Sequence, residues 1–157
     1  MVCHNIEPVY DEQSNILILG SFPSVQSREA QFFYHHPQNR FWKILGAIYD
    51  DEVPQTIEQK KSFLHFHHIA LWDVIASCEI QGSSDSSIQH VKVNDLNRII
   101  QQSSIQHIYT NGKASYQYYQ KYFDFAIPCD YLPSSSPANA SYSLEKLIEK
   151  WRIIKDF

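Results

Sequence analysis

Hydrophobic and polar residues alternate along this chain in blocks that predict strands and helices in turn. Apolar runs predict four strands, at residues 16–19, 69–74, 105–110 and 126–132. Apolar residues at helical spacing, several of them after a capping residue, predict helices at 37–49, 56–65, 94–102, 113–122 and 143–154. Residues 77–89 are mostly polar and predict a loop. This alternation predicts a three-layer α/β/α sandwich with a central, mainly parallel sheet, formed as one domain by residues 1–157.

Residues suited to helix ends set the boundaries of the predicted helices. Pro37 is suited to a first helical position. Thr56 and Gln59 have the spacing of a capping box, and Asn94 and Ser143 are predicted to cap the helices that follow them.

Three loops are expected to meet at one edge of the sheet. They follow Leu19, Thr110 and Leu132, which end predicted parallel strands. Ligands of open α/β sheets bind outside the carboxyl ends of the strands. The sequence therefore predicts a binding site built from these three loops.

Composition changes this picture little. With 157 residues, of which 43% are hydrophobic and 19% charged, the chain has an ordinary globular composition and is long enough for one packed core. No apolar run approaches the roughly 20 residues of a membrane helix, and the first residues lack the pattern of a secretion signal. A cytoplasmic protein without membrane association is expected, and nothing requires more than a monomer.

Charge and cysteine content argue against some classes of function. The formal net charge of −4 argues against non-specific coating of nucleic acid, but it permits a local grip on a few phosphates through N–H groups and hydroxyls. Cys3, Cys78 and Cys129 are widely separated, so they predict neither a disulfide framework nor an iron–sulfur cluster. The histidines at 65–68 lack the HExxH pattern and suit a helix C-terminus, so no metal and no cofactor is expected.

The turn after the first strand has the pattern of a ligand-binding turn. Gly20 permits a sharp turn and the close approach of a ligand, and Ser21, Phe22 and Pro23 follow it. The GSFPS segment is neither GxGxxG nor a P-loop, so it does not predict a cradle for nucleotide phosphates. A plain tight turn remains the alternative.

Three adjacent aromatic residues, Phe32, Phe33 and Tyr34, precede the first predicted helix. They are not expected all to face the core, so at least one is predicted to line a cleft. A nucleobase stacked on such a ring gains about 1–3 kcal/mol, whatever its identity. Burial of all three in the core remains open.

Asn39 lies in the first turn of the same predicted helix. An amide there commonly caps free backbone donors. Alternatively its carbonyl oxygen can orient a water molecule, and its amino group can donate to an acceptor. Such positioning suits a reaction through a sugar cation, because the nucleophile then needs little activation. Arg40 is predicted to form a surface salt bridge or to contact phosphate.

A serine-rich loop follows the last predicted strand. Its members are Ser134, Ser135, Ser136, Pro137, Ala138 and Asn139. Hydroxyls and N–H groups in a loop before a capped helix can hold phosphates without adding positive charge. A loop that only connects the two elements remains the alternative.

Together these segments resemble the uracil-DNA glycosylase superfamily. They are most similar to its hypoxanthine-DNA (deoxyinosine) glycosylase branch, which is close to the mismatch-specific uracil/thymine glycosylases. The segments that carry the resemblance are GSFPS at 20–24, FYHHPQNRFW at 33–42 and LPSSSPANA at 132–140. IALWDV, NGKASY and SLEKL agree in order and position, so the resemblance covers nearly the whole chain.

The resemblance implies roles for individual residues. Asn39 matches the catalytic residue of the hypoxanthine branch, and Tyr34, with Phe33 as second choice, matches the aromatic that stacks on the flipped base. Ala138 and Asn139 are implied to lie at a loop tip that enters the duplex without a bulky wedge. The implied base pocket consists of Gly20, Ser21, Phe22, Pro23, Phe33, Tyr34 and Asn111.

The implied activity is hydrolysis of the N-glycosidic bond of a flipped, deaminated base in DNA, with hypoxanthine as the expected base. Phe22 stands where better-known branches have an Asp or Asn that activates water, which argues against uracil-type chemistry. No lysine is placed as a Schiff-base nucleophile, so a monofunctional enzyme without lyase activity is expected. Lys113 is the only candidate that could contradict this. The alternatives are a uracil/thymine mismatch glycosylase and a non-catalytic nucleic-acid-binding protein of the same fold.

Overall fold

The computed structural model describes residues 1–156, which form seven strands and six α-helices. The strands are β1 (Val2–Cys3), β2 (Ile16–Gly20), β3 (Ile69–Asp73), β4 (Ile75–Glu79), β5 (Gln89–Val93), β6 (His107–Asn111) and β7 (Cys129–Leu132). The helices are α1 (Val25–Ala30), α2 (Phe41–Ile48), α3 (Ile57–Phe66), α4 (Asn97–Gln102), α5 (Lys113–Tyr122) and α6 (Leu144–Trp151). Two short 3₁₀ helices lie at Asp85–Ser87 and Arg152–Asp156. Phe157, the last residue of the predicted domain, lies outside the described residues.

A four-stranded sheet lies at the centre of the fold. Its strands run in the order β3-β2-β6-β7, and every neighbouring pair is parallel. Leu17, Ile18 and Leu19 of β2 are fully buried, as expected for a parallel strand that is covered on both faces. Because the strands are parallel, their carboxyl ends lie at one edge, where the sequence predicted the site.

The helices flank this sheet. α3 packs against β3, α5 packs against β6 and β7, and α2 packs against α6. Phe41 of α2 and Trp151 of α6 meet edge to face, with ring centroids 5.7 Å apart. The predicted α/β architecture with a mainly parallel sheet is therefore confirmed. No helix within residues 1–156 is both long enough and apolar enough to cross a membrane.

A second sheet was not predicted. β1, β4 and β5 form it in the order β1-β4-β5, with antiparallel pairing throughout. The predicted loop at 77–89 is therefore wrong for the end of β4 and the start of β5. Ser77 is polar but 6% exposed, because β4 pairs with strands on both sides and Cys78 beside it is fully buried. The polar sequence of this segment concealed a central strand.

The ends of the helices test the capping predictions. The capping box of Thr56 with Gln59 is present, and the Ser143 side chain accepts a hydrogen bond from the N–H of Lys146. The prediction for Asn94 is wrong: its amide donates to the backbone oxygen of Asp73, and α4 begins three residues later.

The predicted helix start at Pro37 is also wrong. α2 begins at Phe41, four residues later. The segment before it forms a turn, in which the N–H of Asn39 donates to the oxygen of His36 at 2.9 Å. That turn places the Asn39 side chain at the start of the helix instead of inside it.

Candidate active site

A cavity of about 670 Å³ opens at the carboxyl edge of the parallel sheet. Gly20, Asp73 and Asn111 line it, and these residues end β2, β3 and β6. Of the residues predicted for the base pocket, the catalytic position and the serine loop, all except Asn139 line the cavity. The three loops that the sequence placed at this edge therefore meet.

Asn39 and Asn111 hold opposite sides of Ser135. The Asn111 side chain accepts from the N–H of Ser135 and donates to its hydroxyl, both at 2.9 Å. The Ser135 hydroxyl in turn donates to Asn39 Oδ1 at 2.8 Å. Ser135 is fully buried, so this chain of hydrogen bonds is shielded from solvent. Asn111 thus positions the serine loop and also lines the cavity. Its predicted contact with the base stays a prediction.

The orientation of the Asn39 amide is fixed by its partners. Besides Ser135, the backbone N–H of Phe41 donates to Asn39 Oδ1 at 3.0 Å. A backbone N–H can only donate, so the acceptor atom must be the oxygen. The Nδ2 group forms no hydrogen bond within residues 1–156 and is left for a ligand or water. Asn39 therefore satisfies a backbone donor at the start of α2, as the capping interpretation predicted, and also lines the cavity. Its predicted orientation of water stays a prediction.

Tyr34 provides an aromatic wall. Its ring stacks on Phe41, with centroids 4.1 Å apart and planes inclined by 24°. Its φ of 51° lies in the left-handed region, which costs a non-glycine residue free energy and is often found at functional sites. Phe32 and Phe33 are 2% and 1% exposed and pack edge to face in the core. Tyr34 is therefore the aromatic best placed to stack on a ligand.

Gly20 makes room for two functional groups at the bottom of the cavity. A Cβ atom at this position would lie 2.4 Å from Asp73 Oδ1 and 3.0 Å from the Tyr34 hydroxyl. The Asp73 carboxyl and the Tyr34 hydroxyl therefore lie close together beside the β2 backbone. Glycine is required here because a larger residue would collide with the side chains of Asp73 and Tyr34, and not because of its backbone conformation.

Asp73 is the main site residue that the sequence interpretation missed. It is 3% exposed, and its Oδ2 is buried without a hydrogen bond. Loss of solvation, with a smaller contribution from the negative charge of Asp85, raises the pKa of Asp73 to about 7. The available signal was an ionisable residue at the end of the apolar IALWD segment. Asp85 also lines the cavity and accepts from the Ser21 hydroxyl at 2.8 Å.

Arg40 donates hydrogen bonds to the backbone of the serine loop. Its guanidinium donates to the backbone oxygens of Ser136 at 2.7 Å and Asn139 at 3.0 Å, and to that of Tyr142. Its Nε and its backbone N–H both donate to the oxygen of Ser135. The predicted surface salt bridge is wrong, because within residues 1–156 the guanidinium binds backbone oxygens and no carboxylate. The predicted phosphate contact stays a prediction. These hydrogen bonds connect the serine loop to the start of α2.

Replacing Arg40 by alanine is expected to lower the free energy of unfolding by about 2–3 kcal/mol, because several part-buried carbonyls lose a charged donor. Urea denaturation measures the change, and hydrogen exchange should show faster opening of residues 134–139. Arg98→Ala is the matched control. Arg98 pairs with Glu7 at an exposed site, so its loss should cost less than about 1 kcal/mol. Equal costs for the two variants would contradict the role of Arg40 in the loop.

The serine loop satisfies its own hydrogen bonds. The N–H of Ser136 donates to the Ser134 hydroxyl, and the N–H of Ala138 donates to the Ser136 hydroxyl, both at 3.1 Å. The Asn139 side chain turns back and donates to the oxygen of Ser134. Pro137 and Ala138 are exposed and form the tip, whereas Asn139 is half-buried. Fewer donors are free for phosphates than the sequence suggested.

The histidine cluster does not gather metal ligands. His65 pairs with Asp11 at 3.0 Å, and His67 pairs with Asp51 at 3.2 Å. Within the described residues, no three His, Cys, Asp or Glu side chains lie close enough together to hold a metal ion.

The fold and cavity are those of an α/β protein with a ligand site at the carboxyl edge of a parallel sheet. Residues 7–157 match the model of the Uracil DNA glycosylase superfamily, and the chain belongs to this family. The resemblance inferred from sequence is therefore confirmed. The chain is a DNA glycosylase, an enzyme that hydrolyses N-glycosyl bonds.

Two relatives and one solved structure are similar over most of the chain. A Hypoxanthine DNA glycosylase of Methanosarcina acetivorans is 33% identical, with 98% of each chain covered. A Hypoxanthine DNA glycosylase of Methanosarcina barkeri is 32% identical over 84% of this chain and 85% of the relative. The solution NMR structure of a provisionally assigned uracil DNA glycosylase from Methanosarcina acetivorans has a TM-score of 0.85 at 30% identity, covering 99% of this chain and 97% of that one.

Proposed function

We propose that this DNA glycosylase removes hypoxanthine from deoxyinosine in DNA by hydrolysis and leaves an abasic site. The single observation that carries the proposal is Asn39, held in the cavity wall with a free amino group. Phe22 in the GSFPS turn supports the choice of base, since a phenyl ring cannot activate water. The names of the two Methanosarcina relatives, both hypoxanthine DNA glycosylases, support it as well.

In the proposed reaction the damaged nucleotide leaves the duplex and its base stacks on Tyr34. Flipping costs a few kcal/mol, and less when the pair is already weakened. The small tip of Pro137 and Ala138 offers no bulky wedge, so dependence on weak pairs is expected. The C1′–N9 bond then breaks towards an oxocarbenium-like state.

Asn39 positions water for attack on C1′. It acts by orientation, because an amide has no usable pKa and the cation needs little activation of its nucleophile. In the free protein Asn39 Oδ1 already accepts two hydrogen bonds. Water therefore binds either at Nδ2 or at Oδ1 in place of the Ser135 hydroxyl.

The proposed enzyme is monofunctional and lacks lyase activity. No lysine lines the cavity in the part of the chain that the structure describes. Lys113, the one candidate from the sequence, is exposed at the start of α5 and outside the cavity lining. The abasic product should therefore stay intact until alkali is added. We further propose that the protein acts as a monomer in the cytoplasm, on nucleoid DNA.

The proposal is tested by single-turnover incubation with labelled duplexes that hold one inosine, uracil or thymine opposite defined bases. Strand cleavage at inosine only after alkali treatment, unchanged by a chelator, is the expected result. Cleavage at inosine without alkali would contradict the monofunctional assignment. Cleavage confined to uracil or thymine would move the activity to mismatch repair, and cleavage of no duplex would favour a non-catalytic binding protein.

A further inference from the structure

Asp73 is a buried carboxyl group in the cavity wall that has no partner. It ends β3 opposite Gly20, and no side chain or N–H group within residues 1–156 donates to its carboxyl. Asn94 contacts only its backbone oxygen. Buried carboxyl groups are ordinarily paired, so an unpaired one in a ligand cavity points to a functional role.

The surroundings of Asp73 favour its protonated form. β2 ends beside it at the uncharged Gly20. β6 lies on the far side of β2 and ends at the uncharged Asn111, which lines the same cavity. The segment before α2 contributes Tyr34, whose phenol stays neutral because burial raises its pKa. The 3₁₀ helix contributes Asp85, whose negative charge adds to the loss of solvation in raising the pKa of Asp73 to about 7. Asp73 can therefore carry a proton at neutral pH.

The geometry places the Asp73 carboxyl close to the hydroxyl end of the Tyr34 ring. Asp73 Oδ1 and the Tyr34 hydroxyl lie 2.4 Å and 3.0 Å from one point, the ideal Cβ position of Gly20. The hydroxyl marks the far end of the Tyr34 ring. A base stacked on that ring therefore presents an edge to the Asp73 carboxyl. The Asn111 side chain lies near the same hydroxyl, but no hydrogen bond of acceptable geometry joins them.

We propose that Asp73 is a general acid that protonates N7 of the departing purine, an inference that rests on the proposed function. The C1′–N9 bond breaks, and its electron pair moves into the purine. The carboxyl proton passes to N7, so that hypoxanthine leaves as a neutral base. Water adds to C1′, and the proton that it releases returns to the Asp73 carboxylate through solvent.

Purine chemistry makes N7 the natural acceptor. N7 carries a lone pair on the major-groove edge of a purine, and it shares a five-membered ring with N9. Negative charge that gathers on the leaving base therefore reaches N7 directly. Uracil has no ring nitrogen with such a lone pair. A carboxylic acid at this edge thus suits a purine-excising enzyme.

An opposite role for Asp73 makes an opposite prediction. An ionised carboxylate could accept from N1–H of hypoxanthine, and the rate would then rise as Asp73 loses its proton. A general acid must hold its proton, so the rate must fall through the same pH range. The sign of the pH dependence separates the two roles.

The test compares single-turnover rates of wild type, Asp73→Asn and Asp85→Asn on an inosine duplex, from about pH 5.5 to about pH 9. At pH values above the pKa of Asp73 the wild-type rate should fall tenfold per pH unit. This decline is the alkaline limb of the pH profile. Asp73→Asn should be slower by about 100-fold or more near pH 6 and should lack the limb. Asp85→Asn should keep the limb and shift it to lower pH, because it removes the charge that raises the pKa of Asp73. A duplex with non-cleavable 2′-fluoro-2′-deoxyinosine should bind Asp73→Asn as tightly as wild type.

Each other outcome overturns a defined statement. Three outcomes would overturn the role of Asp73 alone. The wild-type rate could rise through neutral pH, or Asp73→Asn could excise the base at a rate close to that of wild type. The slower rate of Asp73→Asn could also be explained by a loss of affinity for the duplex. No cleavage of inosine by wild type at any pH would overturn the proposed function, and the inference would fall with it.

Discussion

Replacing Asn39 by alanine is expected to slow excision of hypoxanthine by about 100-fold or more, since misplacement of a reacting group by about 1 Å already costs that much. The variant loses the amide that positions water and leaves the Ser135 hydroxyl without its acceptor. Single-turnover kinetics at saturating enzyme measure the chemical step apart from binding. The rate, not the affinity for the lesion, should carry the effect.

The fold should tolerate this change. Asn39 Oδ1 accepts from the N–H of Phe41 at the start of α2, and loss of such a cap costs about 1 kcal/mol. Unfolding in urea at the same pH checks that the Asn39→Ala protein is native in the assay. A slow, unfolded variant would say nothing about catalysis.

Ser135→Ala is the matched control in the same hydrogen-bond network. It removes the hydroxyl that donates to Asn39 Oδ1 but keeps the Asn39 amide and its bond to Phe41. A rate nearly equal to that of wild type would place the water at Asn39 without help from Ser135. A loss as large as that of Asn39→Ala would mean that the network acts as a unit. If Asn39→Ala excised the base at the wild-type rate, Asn39 would be only a helix cap.

Elements whose local signals agree with their packing could be predicted from the sequence. β2 combines an apolar run with burial on both faces, and the helix after Thr56 has a capping box that forms as expected. β4 could not be predicted, because its sequence is partly polar and it forms a strand only through pairing with β1 and β5. The start of α2 was misplaced because the turn before it depends on a hydrogen bond between Asn39 and His36.

The candidate site shows the same division. Gly20, Tyr34 and Asn39 lie in one segment, and their pattern predicted a pocket that the fold does form. Asp73 and Arg40 take their roles from contacts between distant segments, so no local pattern announces them. Asp73 lies opposite Gly20 only when β2 and β3 pair. Arg40 contacts the serine loop only when residues 134–139 pack beside the start of α2.

Replacing Asp73 by asparagine is expected to stabilise the protein by about 3 kcal/mol at pH 8, although it removes a proposed catalytic group. The pKa of Asp73 is raised from 3.8 to about 7 by loss of solvation and by Asp85. Between these values the native state keeps a proton that the unfolded state has released, so the Asp73 contribution to stability falls as pH rises from about 4 to about 7. Above about pH 7 the buried carboxylate is ionised without a partner, at a cost of about 1.4 kcal/mol per unit of raised pKa, reduced by water in the cavity.

The measurement is the difference in free energy of unfolding between Asp73→Asn and wild type, taken at several pH values so that other titrating groups cancel. Well below pH 3.8 the Asp73 carboxyl is neutral in both the native and the unfolded state, so ionisation contributes nothing to the difference. From about pH 4 the difference should grow with pH, and it should level off above about pH 7. Asp124→Asn is the control, because Asp124 is exposed and its replacement should change stability by less than about 0.5 kcal/mol at any pH. A difference that stayed constant from pH 4 to 8 would mean that Asp73 ionises near its ordinary pKa. The Asp73 carboxyl would then be ionised in the working enzyme. It would neither destabilise the folded protein nor be able to donate a proton to the departing base.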